Sequence, residues 1–115
     1  MDNFDKGFWE ALDKLVQTSE MVIDRPKGSA HPRYPGAIYP LDYGYLSGTA
    51  SMDGEGIDVW LGTGEPLPDA LLCTFDPLKK DSELKLLLGC SETEKAAALR
   101  FHTQVLHMNA LLVRR

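Results

Sequence analysis

The chain has 115 residues, of which 43% are apolar and 25% are charged, a balance typical of one globular domain rather than of a disordered or fibrous protein. Its net charge of -5 at pH 7 argues against a general nucleic-acid binder, which needs a basic surface. The sequence has neither an apolar run of membrane-spanning length nor an N-terminal secretion signal, so we expect a cytoplasmic protein that contacts neither nucleic acid nor membrane.

The first predicted element is an amphipathic helix over residues 4–17, where apolar side chains recur at helical spacing. Residues 21–23 form a short β-prone run that closes before Pro26. The stretch from residue 26 to residue 64 is rich in Gly, Pro and Tyr, which favours short strands and ordered turns. Apolar runs predict further strands at residues 57–61, 70–75 and 84–88.

The last predicted element is a helix over residues 92–110. It begins with a capping box from Ser91 to Glu94, and its apolar stripe consists of Ala97, Phe101, Val105, Met108 and Leu112. Together the elements predict one α+β domain spanning residues 1–115. Its centre would be a small closed or strongly curved antiparallel β-barrel, OB-like, over residues 21–88, with the N-terminal and C-terminal helices packed outside it.

The cysteines and histidines are expected to have structural roles. Cys73 and Cys90 lie far apart without a CxxC spacing, so we predict two buried thiols rather than a disulfide or a zinc site. His102 and His107 are five positions apart and do not share a helix face. We therefore predict that these two and His31 are solvated or capping residues rather than metal ligands.

A short acidic loop carries the strongest chemical signal. Asp53, Glu55 and Asp58 lie within six residues, and Gly54 and Gly56 separate them. The glycines permit a tight backbone path, and the following strand would hold the last carboxylate in place. Hard cations such as Mg²⁺ and Mn²⁺ prefer these oxygen ligands. Because Asp-Gly pairs also form ordinary solvated turns, the spacing alone leaves both interpretations open.

The segments around the loop strengthen the metal interpretation. Residues 22–29 read Val-Ile-Asp-Arg-Pro-Lys-Gly-Ser, residues 39–44 read Tyr-Pro-Leu-Asp-Tyr-Gly, and residues 53–58 read Asp-Gly-Glu-Gly-Ile-Asp. In this order they resemble the soluble, Mg-dependent inorganic pyrophosphatases, whose members carry an acidic residue before Pro, then Tyr-Pro-x-x-Tyr-Gly, then Asp-Gly-Asp-Pro-x-Asp. The resemblance spans residues 21–62, and the combination is far more specific than any one segment.

The resemblance implies a metal site and a proton acceptor. Asp53 and Asp58 correspond to aspartates that hold the activating metal ions in that family, so the implied cofactor is Mg²⁺, with Mn²⁺ as an alternative. Glu55 stands where the family has the aspartate that accepts a proton from the attacking water. A further metal ligand is implied at Asp81 or Glu83, and the choice between the two stays open.

The resemblance also implies contacts with a small phosphate-containing substrate. Tyr43 matches a tyrosine that contacts the substrate or metal-bound water, which makes it both a catalytic and a substrate-binding candidate. Tyr39 matches a tyrosine that lines the site, and Arg33 stands in the place of a phosphate-binding lysine. Lys85 belongs to an acidic-x-Lys element that provides another phosphate contact. Asp24 replaces a glutamate at the floor of the site.

Several positions depart from the family pattern. Glu55 extends the carboxylate by one methylene, about 1.5 Å, relative to aspartate, and Gly56 replaces a proline. Only three residues separate Tyr34 from Ile38, so a longer hairpin that carries a phosphate-binding arginine is missing. The C-terminal segment lacks the Tyr-Lys pair with which the family clamps phosphate.

The leading hypothesis is Mg-dependent hydrolysis of a phosphoanhydride, with inorganic pyrophosphate as the substrate that the resemblance implies. The departures keep two alternatives open. One is a catalytically impaired relative that binds a phosphorylated metabolite or a protein partner, and the other is a structural subunit whose acidic loop binds nothing. The sequence does not decide whether the protein forms a homo-oligomer.

Overall fold

Helix α1 (Phe4–Thr18) opens the fold and confirms the first predicted helix. The structure is a computed structural model that describes residues 4–51 and 54–115. Its six strands, in chain order, are β1 (Met21–Arg25), β2 (Asp42–Leu46), β3 (Ile57–Leu61), β4 (Pro68–Asp76), β5 (Asp81–Leu88) and β6 (Asn109–Arg114). The four strands expected from the sequence are thereby confirmed: β3 has the predicted ends, and β1, β4 and β5 are longer than predicted.

In the described part of the chain, the strands form one mixed sheet in the order β1-β2-β3-β5-β4-β6. All neighbouring pairs are antiparallel except β3 and β5, which run parallel. This confirms the predicted α+β class and the mostly antiparallel pairing. The sheet of the described residues is open, with β1 and β6 at its two edges, so closure into a barrel is not confirmed.

Hydrophobic clusters cover both faces of the sheet. Successive strand residues point to opposite faces, and the neighbours Leu71 and Leu72 of β4 accordingly belong to different clusters. Leu71 packs in the cluster that contains Leu12 of α1. Leu72 packs in the cluster that contains Trp60 and Phe101. The sheet is therefore a central layer, with α1 on one face and the C-terminal helical segment on the other.

The C-terminal segment differs from the prediction. Helix α2 (Glu92–Arg100) begins with the predicted capping box at Ser91, but it continues into a single π-helical turn, Phe101–Val105. His107 then adopts a positive φ of 57°, which a helix cannot accommodate. The prediction of one helix over residues 92–110 is therefore wrong beyond the π-helical turn, because the chain leaves it to form β6.

Pairing with a distant strand explains this last element. Leu112 lies opposite Leu72 in the antiparallel pair of β6 and β4 and packs against the same cluster. Its burial thus arises from the sheet rather than from a helix face. The partner strand lies about forty positions earlier in the chain. A short window of sequence therefore cannot predict this pairing.

The alternation of side chains along a strand explains why the prediction fails for one cysteine. Cys90 is a buried thiol, as predicted, but Cys73 is exposed, so the prediction is wrong for Cys73. This residue lies between the buried Leu72 and Thr74 of β4 and therefore points to the opposite side of the sheet.

No helix within the described residues is long and apolar enough to cross a lipid bilayer.

Candidate functional site

One face of the sheet carries a cleft of about 1100 Å³. Most of the residues singled out by the sequence line it, namely Asp24, Arg33, Tyr39, Tyr43, Glu55, Asp58, Glu83 and Lys85. Asp81, which begins β5 opposite Asp76, is not among the described residues that line the cleft. Asp53 falls outside the described residues.

The register of three neighbouring strands gathers the charged residues. Asp58 of β3 lies directly beside Lys85 of β5 in the parallel pair. Glu83 is two residues before Lys85, so both side chains point to the same face of the sheet. Tyr43 of β2 lies opposite Trp60, two residues along β3 from Asp58. All four polar side chains therefore project into one cleft.

Lys85 is the centre of this group. Its Nζ donates hydrogen bonds to Asp58 Oδ2 at 2.8 Å, to Tyr43 Oη at 3.0 Å and to Glu83 Oε1 at 3.1 Å. Lys85 is only 5% exposed, and an ammonium buried to that extent needs such partners to offset its lost hydration. We call Lys85, Asp58, Glu83 and Tyr43 the lysine cluster.

The lysine cluster holds defined protonation states. Burial works against the charge on Lys85, but the neighbouring Tyr43 and Asp58 outweigh it and hold the pKa of Lys85 above its usual value. Burial raises the pKa of Tyr43. At neutral pH the cluster therefore contains an ammonium ion and a protonated phenol, so Tyr43 can donate a hydrogen bond but cannot act as a base.

The second half of the acidic loop is held by short-range hydrogen bonds. The backbone N–H of Ser51 donates to the carbonyl oxygen of Glu55 at 2.8 Å, and the Ser51 hydroxyl donates to the same oxygen at 3.0 Å. The N–H of Ile57 donates to Thr49 Oγ1 at 2.9 Å. These contacts hold the backbone of Glu55 at the cleft, whose lining includes that residue.

Three cations surround His31 at one end of the cleft. Burial lowers the pKa of His31, and Arg25, Arg33 and Lys79 lower it further by charge repulsion. His31 Nδ1 accepts hydrogen bonds from the N–H groups of Arg33 and Tyr34, which confirms a capping role. Among the described residues, Arg33 and Lys79 form no ion pair. Both are therefore available to an anionic ligand.

His102 was expected to be solvated or capping, and this prediction is wrong. It is 3% exposed, and its Nε2 accepts a hydrogen bond from Trp60 Nε1 at 3.1 Å. An indole nitrogen can only donate, so the neutral imidazole carries its proton on Nδ1. That Nδ1 has no hydrogen-bond partner within the described residues. A weak signal was present in the sequence, since His102 directly follows Phe101 of the apolar stripe.

His102 should make stability depend on pH. Burial, aided by Lys85, lowers the pKa of His102 to about 3 from its ordinary 6.5. As the pH falls below 6.5, the unfolded chain takes up a proton that the folded protein excludes, so stability decreases. Relative to a His102→Gln variant, we expect the wild type to lose about 1.5 kcal/mol of unfolding free energy between pH 6.5 and pH 5.

Urea denaturation at several pH values measures this loss. His107→Gln is the control, because His107 is exposed and its replacement should leave the pH dependence of the wild type unchanged. Parallel pH profiles for the wild type and His102→Gln would contradict a buried neutral imidazole.

The lysine cluster offers a divalent metal ion two carboxylate ligands. Within residues 4–51 and 54–115, no group of three or more His, Cys, Asp or Glu side chains is placed to hold a metal ion. Mg²⁺ in phosphate-handling sites, however, is commonly held by one or two carboxylates together with substrate phosphates. Asp58 and Glu83 fit that requirement, and both already bind a cation, the ammonium of Lys85.

No protein-family model matches this chain, and no curated protein matches its sequence. The resemblance to inorganic pyrophosphatases therefore stays a prediction that the quoted segments carry. The structure places most of the residues named by that resemblance in the lining of one cleft.

Proposed function

We propose that the protein hydrolyses a phosphoanhydride with the help of Mg²⁺, and that inorganic pyrophosphate is a substrate. The observation that supports this proposal best is the lysine cluster. Its two carboxylates and its phenol each lie within hydrogen-bond distance of the Lys85 ammonium on the wall of a cleft. Such a set provides both anionic ligands for a metal and donors for phosphate oxygens.

Asp58 and Glu83 would hold Mg²⁺, with Asp53 as a further predicted ligand. When bound, the ion would lower the pKa of a coordinated water and screen the phosphate charges. In exchange for part of its contact with the two carboxylates, Lys85 would donate to a phosphate oxygen. Tyr43, whose phenol stays protonated, would donate to another.

Arg33 would hold the phosphate group farther from the lysine cluster. Its guanidinium lines the cleft and has no ion-pair partner among the described residues, and a planar guanidinium can bind a phosphate with two hydrogen bonds at once. Glu55, at the rim of the same cleft, would accept the proton of the attacking water.

Phosphate release from pyrophosphate tests this proposal. We expect measurable Mg-dependent hydrolysis, but at a rate well below that of a protein with the full family pattern, because each missing phosphate-binding group costs a factor of about 10² to 10³. Glu55→Asp should raise the turnover number, since the shorter side chain restores the proton acceptor of the family. Glu65→Asp is the matched control, because Glu65 is exposed and does not line the cleft.

Absence of phosphate release above a Mg²⁺ blank, with no gain in Glu55→Asp, would overturn the enzymatic proposal. A binding protein for a phosphorylated metabolite would then be the better hypothesis. One observation favours this alternative: Lys85 already engages Asp58 and Glu83, so the cleft can receive an anion without a metal. Pyrophosphate binding of equal strength in EDTA and in Mg²⁺ would support it.

A further inference from the structure

The cleft is larger than inorganic pyrophosphate requires. Its volume of about 1100 Å³ reaches the size of pockets that enclose whole organic ligands, which are roughly 300–1,000 Å³. Pyrophosphate consists of two phosphoryl groups and a bridging oxygen, and the charged residues described above suffice to hold it. The cleft therefore has room for an organic group attached to the phosphates.

One wall of the cleft is a series of rings. It runs from Tyr43 in the lysine cluster through Tyr39 and His31 to Tyr34, with consecutive ring centroids 5.4, 6.1 and 5.0 Å apart. All four residues line the cleft, and Tyr34 is 53% exposed. Aromatic faces contribute little to binding a phosphate, but they stack on planar heterocycles.

Another wall is formed by the π-helical turn and the residues after it. Phe101, Leu106 and Met108 line the cleft there and supply an apolar surface. His102 lies beside them, with a proton on Nδ1 and no partner for it within the described residues. A π-helical turn is frequent at functional sites. This wall therefore adds apolar surface, which suits the face of a planar heterocycle.

Charge places the phosphates next to the rings. Arg33 and Lys79 line the cleft together with His31 and lower its pKa by charge repulsion. Neither cation forms an ion pair with another described residue. At the other end of the ring series, the ring of Tyr43 lies 5.6 Å from Lys85 Nζ. A ligand with a planar base and a short phosphate chain matches this arrangement of rings and cations.

From these contacts we infer that the cleft binds a nucleoside diphosphate, with the base against the aromatic wall and the phosphates on the cations. The inference rests on the proposed function, because it specifies the substrate of the same cleft. In the reaction, the oxygen of water would bond to the terminal phosphorus, and the bond from that phosphorus to the bridging oxygen would break. The products are a nucleoside monophosphate, inorganic phosphate and a proton.

Calorimetric titration with two probes distinguishes the contribution of the base to the affinity from that of the phosphates. The probes are α,β-methylene-ADP, which carries a base and resists hydrolysis, and methylenediphosphonate, which mimics pyrophosphate alone. We expect the wild type to bind the nucleotide analogue more tightly. Tyr34→Ala should weaken that binding by about tenfold, the loss of one stacking contact, and should leave methylenediphosphonate binding unchanged. Phe75→Ala is the control, since Phe75 is also 53% exposed but does not line the cleft.

Three results would overturn the inference: equal affinity for the two probes, equal weakening of both by Tyr34→Ala, or a short alkyl diphosphate that binds as tightly as the nucleotide. The last would show that the wall recognises apolar groups in general. Phosphate release distinguishes this failure from that of the proposed function. Hydrolysis of pyrophosphate without a binding preference for the nucleotide would contradict only the present inference. Nucleotide binding without any hydrolysis would contradict only the proposed reaction.

Discussion

Replacement of Lys85 by methionine is expected to lower the unfolding free energy by about 3–5 kcal/mol. Lys85 is 5% exposed, and its ammonium binds two carboxylates whose side chains are about one-fifth exposed. Methionine keeps most of the side-chain volume but leaves Asp58 and Glu83 facing each other without a cation. Because like charges in a partly buried site repel, the cost exceeds that of losing one hydrogen bond.

Urea denaturation with and without Mg²⁺ measures this effect and also tests the two carboxylates as metal ligands. In Lys85→Met, Mg²⁺ should restore part of the lost stability, because it can take the place of the ammonium and binds only the folded site. Lys79→Met is the control: Lys79 lines the same cleft but is exposed and makes no ion pair with any described residue. A loss below about 1 kcal/mol, typical of a surface ion pair, would contradict the buried role of Lys85.

Asp58→Asn should reduce Mg-dependent phosphate release by a factor of about 10² to 10³, the usual effect of removing one group that stabilises the transition state. Asparagine preserves the shape of the side chain and still accepts a hydrogen bond from Lys85, so the fold should persist. Its amide, however, is a much poorer ligand for a hard cation than a carboxylate. We expect Mg²⁺ to raise the melting temperature of the wild type, because it would bind only the folded protein. This increase should be absent in Asp58→Asn.

Asp76→Asn provides the matched control for this variant. Asp76 also lines the cleft, but its Oδ1 accepts hydrogen bonds from the N–H groups of Leu78 and Lys79, a role that asparagine can keep. This control should retain both the hydrolysis and the Mg²⁺ effect. If the two variants behave alike, Asp58 has no special function in metal binding.

The fold could be predicted where the signal is local. The helical spacing of apolar residues in α1 and the compact apolar runs of β3, β4 and β5 each specify an element within a few positions. The end of the chain could not be predicted in this way. Phe101, Val105 and Leu112 continue a helical stripe, yet the backbone turns at His107 and Leu112 packs as a strand residue against Leu72. Its partner strand is far away in sequence.

The sequence predicted several residues of the candidate site, but not the contacts between them. The motif resemblance named Tyr43, Asp58 and Lys85, and left the choice between Asp81 and Glu83 open. The structure brings the first three together with Glu83. The resemblance gave Lys85 only a phosphate contact, whereas in the fold it also neutralises two carboxylates. The burial of His102 could not be predicted either, because its partner, Trp60, is 42 positions away and a sequence motif carries no information on such pairing.

The parallel pairing of β3 with β5 also determines when the site forms during folding. The hairpin of β4 and β5 closes a short turn, so it can form early and on its own. The contact of Asp58 with Lys85 joins residues 27 positions apart, so we expect it to form later, when β5 docks beside β3. We therefore expect the geometry of the lysine cluster to be assembled in one of the slower, long-range steps. A partly folded chain that already contains the hairpin would not yet have the complete lysine cluster.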